Sequence, residues 1–571
     1  MSTALEAASL IMIPNSYSDG LLASVKPNDG AGDFTFSRGS NLSATRVNAD
    51  GNIEKGYENL LLQSNSFSDA AWGGSSFNVI PNQEGYDGLT DAWLLETTTT
   101  GTSVRIQQSV SMSSIHTYSV YAKKGTSNWL VLRNNSNATA VWFDLENGVI
   151  GQENSASINP SIESIGDGWY RLSVLFDSST SVRFYMTDGD DSYDATLGAN
   201  VYIQDAMLNQ GMVAYPYVET TTAPVAAGIL EDTPRIDFSG GNQSLLLEPE
   251  RRNLITYSEF TDVTGIWFTS SSTIEHNTED TLSPEGYYNA LKYNSPTSGG
   301  SLYYSGIPVS QNTKYTFTFY VKKGTNENTR LAVYDETNLS FIDVDIPYTA
   351  STEEWTRITH TFTTPVNCTS LRVYPQRFNA AFGTIYFYGF QVEDDGAGNG
   401  SSYPTSYIPT YGVSQTRLGE LGREGDYIDT TITFGPTDDF SIFYDGEIFR
   451  TDRMIIGGGV SGLNAGRLWI RDTQIRLDGI TPSVSLMADT IVAVDLNTRF
   501  KLLVKRNGAT IDFFLDGSKL TTRQFDTDAP FVINSLFWSF SNFYVAVGRH
   551  NQLLVFDSAL SDDECITLTT I

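Results

Sequence analysis

The chain has little cysteine, little histidine and no long hydrophobic run, and each shortage excludes a class of protein. Only Cys368 and Cys565 occur in 571 residues, so a disulfide framework is absent and both are expected to be free thiols. The four histidines lie without metal-ligand spacing, and no GxSxG or GxxxxGK motif occurs, which argues against an enzyme built on these sites. Nowhere do 18 apolar residues follow one another, so we expect no membrane insertion.

Basic residues are also scarce. The chain has 35 Lys and Arg against 66 Asp and Glu, a net charge of −31, and such a surface repels nucleic acid. The N-terminal stretch has no basic region and includes Glu6, which is not typical of a secretory signal peptide. We therefore expect no nucleic-acid partner and synthesis in a cytosol without general export.

Aromatic residues are abundant, with 30 Tyr, 31 Phe and 9 Trp. They occur in short alternating or β-branched runs such as TYSVYAKK, YRLSVLF and SVRFYMT, bounded by Gly, Asn, Asp and Ser, while helical periodicity is nearly absent. The dipeptides Asn507-Gly508 and Asp516-Gly517 flank TIDFFL, which predicts consecutive hairpins. The fold class is predicted to be all-β and multidomain.

The sequence contains an internal duplication. ENLLLQSNSFSDAAW, from Glu58, matches RRNLITYSEFTDVTGIW, from Arg251, and further matched blocks follow in the same order, among them SVYAKKGT with FYVKKGT. A period of this length indicates duplicated domains and not a solenoid, whose repeats are about 20 to 50 residues long. The predicted division is an N-terminal attachment segment (1–57), module 1 (58–222), a linker (223–250), module 2 (251–417) and a third domain (418–571).

Two short units outside the modules have readable local structure. In the linker, RIDF and SLLLEP flank Gly240-Gly241, which predicts a strand, turn and strand that pair with a module edge as a spacer. Near the C-terminus, Ser561 stands three residues before Glu564, a capping box that predicts a short terminal helix.

Each module resembles the carbohydrate-binding-module type of β-jelly roll found in structural proteins of tailed phages. The matching features are an opening N-L-L-x-x-S with a downstream Trp, then Y-x-K-x-G, W-x-R and a closing Y-[IV]-x-T. The phrases FTFSRGSNLSATRVNADGNIE and TPRIDFSGGNQSLLLEPERRNL resemble stretches of predicted virion proteins of such phages. The third domain resembles a concanavalin A-like, laminin-G-like sandwich. The resemblance implies two tandem jelly rolls followed by that sandwich.

Glycan binding by such modules would use aromatic rings that stack on sugars, beside polar groups that bond hydroxyls. Trp169 and Trp355 occupy matching positions in both modules and are predicted to be core residues. Trp129 and Trp142 have no Trp counterpart in module 2, so they are the candidates in module 1. In module 2 the candidates are Tyr303, Tyr334 and Tyr374.

Calcium is the one cofactor that the resemblance suggests. Modules of this kind hold a structural calcium through an Asp of the closing strand, which maps onto Asp205, although module 2 has Gly389 there. The loop DGDDSYD adds Asp188 and Asp190 as clustered hard oxygen ligands, without the order of an EF-hand. The alternative is that this loop is simply acidic and solvated.

These features predict a phage virion structural protein, such as a head fibre, tail fibre or similar appendage, that is assembled in the host cytoplasm. Its partners would be other virion proteins and host-surface or mucus glycans, and we expect a homo-oligomer and no enzymatic activity. One alternative is a purely architectural capsid or tail protein. Another is a bacterial polysaccharide-binding protein or a glycoside hydrolase, since a pair of carboxylates could escape notice among 66 acidic residues.

Overall fold

A computed structural model gives the fold. The structure describes residues 2–39, 42–135, 139–154, 159–259, 266–296, 299–377, 382–419, 432–435, 437–450, 453–457, 465–480, 485–490, 492–524, 531–533, 535–536 and 546–571. Strands dominate and helix is confined to short segments, so the predicted all-β, multidomain fold class is confirmed.

The N-terminal segment is a series of short elements that leads into module 1. Its elements are α1 (Ser2–Ala7), β1 (Leu10–Met12), a 3-10 turn (Pro14–Ser16), β2 (Leu21–Leu22), β3 (Phe34–Thr35), β4 (Thr45–Val47) and β5 (Ile53–Asn59).

Module 1 is a sandwich of two antiparallel six-stranded sheets. Its strands are β6 (Gly73–Ser75), β7 (Phe77–Gln83), β8 (Ala92–Thr97), β9 (Gly101–Thr102), β10 (Arg105–Met112), β11 (His116–Lys124), β12 (Trp129–Asn134), β13 (Ala140–Asp144), β14 (Val149–Glu153), β15 (Ser161–Gly166), β16 (Trp169–Phe176), β17 (Ser179–Thr187), β18 (Asp194–Ala195) and β19 (Asn200–Gln210). One sheet has the order β14-β13-β12-β17-β10-β6 and the other β15-β16-β11-β19-β8-β7. Trp169 is buried, but it lies on the outer face of β16 and not between the sheets, because the alternating Leu172 and Val174 enter the core. Its counterpart Trp355, also predicted to be a core residue, is only partly buried and lies outside the core of module 2.

The linker adds three strands, β20 (Val225–Gly228), β21 (Ile236–Asp237) and β22 (Ser244–Leu247). Module 2 repeats the sandwich with β23 (Arg251–Asn253), β24 (Trp267–Ser270), β25 (Thr273–Glu275), β26 (Leu291–Ser295), β27 (Ser301–Pro308), β28 (Lys314–Lys323), β29 (Arg330–Asp335), β30 (Ser340–Pro347), β31 (Thr356–Thr363), β32 (Ser370–Gln376), β33 (Gly383–Asp394) and β34 (Gln415–Arg417). A five-stranded sheet, β24-β27-β32-β29-β30, faces a seven-stranded one built around β28 and β33.

The third domain completes the chain. Its elements are β35 (Ile432–Phe434), β36 (Phe440–Ile448), β37 (Arg453–Gly457), β38 (Ala465–Ile470), β39 (Ile475–Ile480), β40 (Ser485–Asp489), β41 (Arg499–Asn507), β42 (Thr510–Leu515), β43 (Ser518–Gln524), β44 (Phe531–Ile533), β45 (Ser535–Leu536), β46 (Gly548–Phe556) and α2 (Asp562–Thr569). It has two main sheets. One is eight-stranded, with the order β21-β22-β46-β36-β41-β42-β43 and with β1 also paired to β46, and the other is five-stranded, with the order β40-β39-β38-β37-β45.

The structure differs from the predicted division at the N-terminus and the linker. Leu10 of β1 pairs with Val555 of β46, and Leu245 of β22 pairs with His550 of the same strand. The linker hairpin around Gly240-Gly241 therefore forms, but it pairs with the third domain and not with a module edge. Apolar side chains of both segments enter the core of that domain, so the N-terminal segment is part of its fold.

The repeated opening motif has a structural role in both modules. Asn59 donates side-chain hydrogen bonds to the main-chain carbonyls of Ala206, at 3.1 Å, and Val218, at 2.8 Å. Asn253 makes the equivalent two bonds in module 2. Each Asn thus ties the opening strand to the closing strand, and buried donors without such partners would be costly.

The local predictions for the third domain hold. Both hairpins around TIDFFL form, with Gly508 at φ 58° and Gly517 at φ 78°, backbone angles that glycine adopts readily. The Ser561 hydroxyl accepts from the Glu564 amide, and the Glu564 carboxylate accepts from the Ser561 amide at 2.8 Å.

Cys368 and Cys565 are free thiols and buried. No helix in the described part of the chain is long and apolar enough to cross a membrane.

A buried ion network joins the two modules. Lys55 of β5 contacts the carboxylates of Glu259 and, at 2.8 Å, of Glu285, and all three side chains are at most 2% exposed. The phenols of Tyr215, from module 1, and Tyr388, from module 2, also donate to Glu285. Burial alone would lower the pKa of Lys55, but the two carboxylates outweigh it and hold that pKa above its ordinary value.

Candidate glycan-binding faces

The outward face of the five-stranded sheet of module 2 carries a row of aromatic side chains. Because side chains alternate between the faces of a strand, the burial of Leu331 and Val333 in the module core leaves Tyr334 on the other face. The same alternation places one aromatic ring outward on every strand of the sheet. This aromatic row consists of Phe268 on β24, Tyr303 on β27, Tyr374 on β32, Tyr334 on β29 and Phe341 on β30.

The rings of the aromatic row contact one another, and the centroid of Tyr374 lies 5.1 Å from that of Tyr303 and 6.2 Å from that of Phe341. Phe268 stacks on Tyr303 with centroids 5.3 Å apart and planes 15° apart, and Tyr334 lies 4.9 Å from Phe341. Tyr374 is only 8% exposed and forms the floor, whereas Phe268 and Phe341 are 41% and 36% exposed. Five strands at the usual spacing give the row a length of about 19 Å.

An arginine occupies the middle of the row. The guanidinium carbon of Arg372 lies 4.7 Å from the ring centroid of Tyr303 and 5.5 Å from that of Tyr334. Its Nη1 donates to the Tyr374 hydroxyl at 3.2 Å, and its Nη2 lies 3.0 Å from the Glu336 carboxylate. Fixed donors, a carboxylate and ring faces therefore adjoin one another at the centre of the sheet.

Glu336 is held in its ionised form. Burial alone would raise its pKa, but hydrogen bonds from the hydroxyls of Ser305 and Ser370 outweigh this and lower the pKa. The Gly306 amide also donates to the carboxylate, at 2.9 Å. Since Arg372 and Glu336 balance in charge, the centre of the row offers both donors and acceptors to a neutral ligand.

The structure brings together the three module 2 candidates, Tyr303, Tyr334 and Tyr374, on one face. Sequence reasoning missed Arg372 and its acidic partner, as well as the two outer phenylalanines. One signal was available for the arginine. SVRFYMT in β17 and SLRVYPQ in β32 share S-x-R-x-Y, the arginine and tyrosine of which lie on the outward face in both modules.

Module 1 carries an equivalent face that is covered. Arg183 Nη1 donates to the Tyr185 hydroxyl at 3.1 Å, which reproduces the pair in module 2. Of the two module 1 candidates, Trp129 is half-buried and packs against this face, and Trp142 is fully buried. The Trp142 ring therefore does not face solvent, and its indole N–H donates to the carbonyl of Ser192 at 2.7 Å.

The cover is the 188–195 loop, which includes two calcium candidates. Asp188 accepts from the amide and hydroxyl of Thr196, at 3.1 and 2.6 Å. Asp190 accepts from the Gln152 amide of β14 at 2.7 Å. Both carboxylates thus serve as hydrogen-bond acceptors that shape the loop and fasten it to the sheet.

The third calcium candidate, Asp205, lies at a bulge of β19. Its φ is 55°, and the matching Gly389 has φ 63°, so both positions need a residue that accepts the left-handed region, as Asp and Gly do. The Tyr86 hydroxyl donates to Asp205 at 2.9 Å, and burial raises the pKa of Asp205 to about 7. Among the described residues, no three His, Cys, Asp or Glu side chains converge as metal ligands.

Comparison with known proteins gives one family match. Residues 252–376 match the model of the family described as Carbohydrate binding domain. That range begins at β23 and ends with β32, and it contains every residue of the aromatic row. No curated protein matches the chain.

Among solved structures, the tandem CBM22-1–CBM22-2 domains of Paenibacillus barcinonensis Xyn10C are 12% identical, with a TM-score of 0.21, and the match covers 62% of this chain and 99% of that one. The LG1-3 region of the laminin alpha2 chain is 10% identical with a TM-score of 0.17, and the match covers 81% of this chain and 97% of that one. The CBM40 of a Ruminococcus gnavus IT-sialidase, bound to alpha2,3 sialyllactose, is 18% identical with a TM-score of 0.20, and the match covers 24% of this chain and 84% of that one. These scores are too low to support an inference about ligands. The family match, by contrast, shows that the chain contains a carbohydrate-binding-module domain within module 2.

Proposed function

We propose that the protein binds neutral glycans through the aromatic row of module 2. The observation that carries this proposal is the continuous row of rings with the pair of Arg372 and Glu336 at its centre. Ring faces provide flat apolar contact for the C–H surfaces of a sugar, and the charged pair provides donors and acceptors for its hydroxyls. The match of residues 252–376 to a carbohydrate-binding family supports the same conclusion.

The charge of the site and of the chain favours uncharged sugars. Arg372 is neutralised by Glu336, and the guanidinium of Arg377, near Phe341, is paired with Asp345 at 2.8 Å. No excess positive charge is therefore present at these pairs for an acidic sugar. The net charge of −31 would in addition repel polyanionic polysaccharides at long range.

We propose further that this binding module is displayed on the virion of a tailed phage, as a head fibre, tail fibre or similar appendage. The support is the resemblance of the N-terminal and linker phrases to virion proteins. Other virion proteins would anchor the chain, and a homo-oligomer would multiply weak sites through effective concentration. Mass spectrometry of purified virions tests this: the chain should be present in stoichiometric amounts, and its absence would refute a virion role.

A purely architectural role is the second candidate, and it predicts that no glycan binds. The test is affinity electrophoresis and calorimetry of the full chain with β-glucan, xylan, mannan and neutral mucin O-glycans. Tyr303→Ala and Arg372→Ala should each weaken binding at least about tenfold, equivalent to about 1.4 kcal/mol. Tyr288→Ala is the matched control, because Tyr288 is an exposed tyrosine of module 2 outside the aromatic row. Wild-type affinity in both row variants would overturn the proposal.

A further inference from the structure

We infer that module 1 has a second glycan-binding face and that Tyr193 of its own chain occupies it. The inference rests on the proposed function of module 2, because the two faces are compared. What it adds is an intramolecular occupant: module 1 has the arginine–tyrosine pair and the outward tryptophans of such a face, and a side chain from the 188–195 loop stands where a sugar ring would lie.

The two faces share an arginine–tyrosine pair at the same position of the sheet. Arg183 and Tyr185 of β17 are bonded to each other as Arg372 and Tyr374 of β32 are, at 3.1 and 3.2 Å. Tyr185 is paired across the sheet with Val131 of β12, and Tyr374 is paired in the same way with Ala332 of β29. Both pairs lie on the central strands of their sheets, and both are surrounded by further aromatic side chains.

Tyr193 makes the contacts that a bound ring would make. Its centroid lies 5.1 Å from Trp142 and 5.1 Å from Tyr185. The guanidinium carbon of Arg133 lies 5.1 Å from the same ring, and the buried Nε of Arg133 has no hydrogen-bond partner among the described residues. Two aromatic rings, both in T-shaped contact, and the guanidinium of Arg133 therefore converge on one tyrosine.

The Tyr193 side chain lies outside the core of module 1, so it can be removed without removing a core residue. Tyr193 packs with the outward cluster of Trp142 and Tyr185 and is not part of the sandwich core. Four acidic residues of the loop are exposed, namely Asp188, Asp190, Asp191 and Asp194. Six residues of the sequence, 377–382, separate β32 from β33 in module 2, whereas twelve, 188–199, separate the matching strands β17 and β19 in module 1, so module 1 has an insertion at this point.

The experiment removes the occupant in a chain whose module 2 face is disabled. Tyr303→Ala is combined with Tyr193→Ala, or with Tyr193→Phe as the control that keeps the ring, and each variant is titrated with β-glucan, xylan, mannan and neutral mucin O-glycans. Tyr193→Ala should raise the affinity at least tenfold over Tyr303→Ala alone, and Tyr193→Phe should leave it unchanged. Acrylamide quenching of tryptophan should increase only with Tyr193→Ala, because Trp142 becomes accessible.

Each outcome decides between the two proposals. If the wild type binds and Tyr193→Ala adds nothing, the inference is overturned and the function of module 2 stands. If the wild type does not bind but Tyr193→Ala does, the proposed function of module 2 is overturned and the inference about module 1 stands. If neither protein binds, both proposals are overturned. Asp190→Ala keeps Tyr193 but removes an anchor of the loop at Gln152, so it should give a smaller gain, and it serves as the second variant if Tyr193→Ala does not fold.

Discussion

Replacing Lys55 by methionine should destabilise the junction of the two modules. Lys55 is the cation between Glu259 and Glu285, and all three side chains are at most 2% exposed. Without the cation, two carboxylates would face each other in a site closed to water. Removing one partner from a buried ion pair costs about 3–5 kcal/mol, and we expect a loss of this size in the free energy of unfolding of the module pair.

The loss should depend on pH with a definite sign. A buried carboxyl without its cation has a raised pKa in the folded state, so the folded state binds protons more strongly than the unfolded state. Stability then rises as the pH falls, and Lys55→Met should recover part of its loss between about pH 7 and pH 4. Adding Glu259→Gln and Glu285→Gln should restore most of the stability at neutral pH.

Calorimetry and denaturant titration would measure these effects. Because the chain has several domains and need not unfold in one step, the signal that is followed must report on the unfolding of modules 1 and 2. The matched control is Lys124→Met, which breaks an ion pair with Glu146 that is about 40% exposed on both sides and should cost less than about 1 kcal/mol. A loss below about 1 kcal/mol for Lys55→Met, or no rescue by the two glutamines, would refute the reasoning.

Two further predictions concern module 1 and the third domain. The pKa of Asp205 is raised from 3.8 to about 7 by burial, so wild-type module 1 should lose stability as the pH rises through this window, by at most about 4 kcal/mol. Asp205→Asn should abolish that loss in thermal unfolding at pH 5 and pH 8, and an unchanged pH profile would contradict this. Deletion of residues 2–12 removes β1 from the edge of β46 and should lower the melting temperature of the third domain and speed its proteolysis, whereas an unchanged melting temperature would show that the N-terminal segment is not part of that fold.

Local features of the fold were predictable because they depend on residues close together in sequence. The Ser561 capping box and the Asn507-Gly508 hairpin are of this kind. The pairing of β1 and β22 with β46 was not predictable, because it joins segments hundreds of residues apart and leaves no periodic signal in either.

The candidate site was predictable in residue type and not in arrangement. Tyr303 and Tyr304 are adjacent, and only the register of β27 decides that Tyr304 is buried while Tyr303 joins the aromatic row. Trp142 was predicted as a sugar platform from its residue type, and it is covered by a loop about fifty residues away in the chain. Its accessibility depends on that tertiary contact, which composition does not encode.

The central claim is that the outward face of module 2 binds a neutral sugar chain. A crystal structure of the full chain soaked with an oligosaccharide of the tightest-binding polysaccharide would test it most directly. The account predicts sugar rings against Tyr303 and Tyr334, with hydroxyls bonded to Arg372 and Glu336. Sugar bound elsewhere on the chain, with the aromatic row left empty, would contradict it.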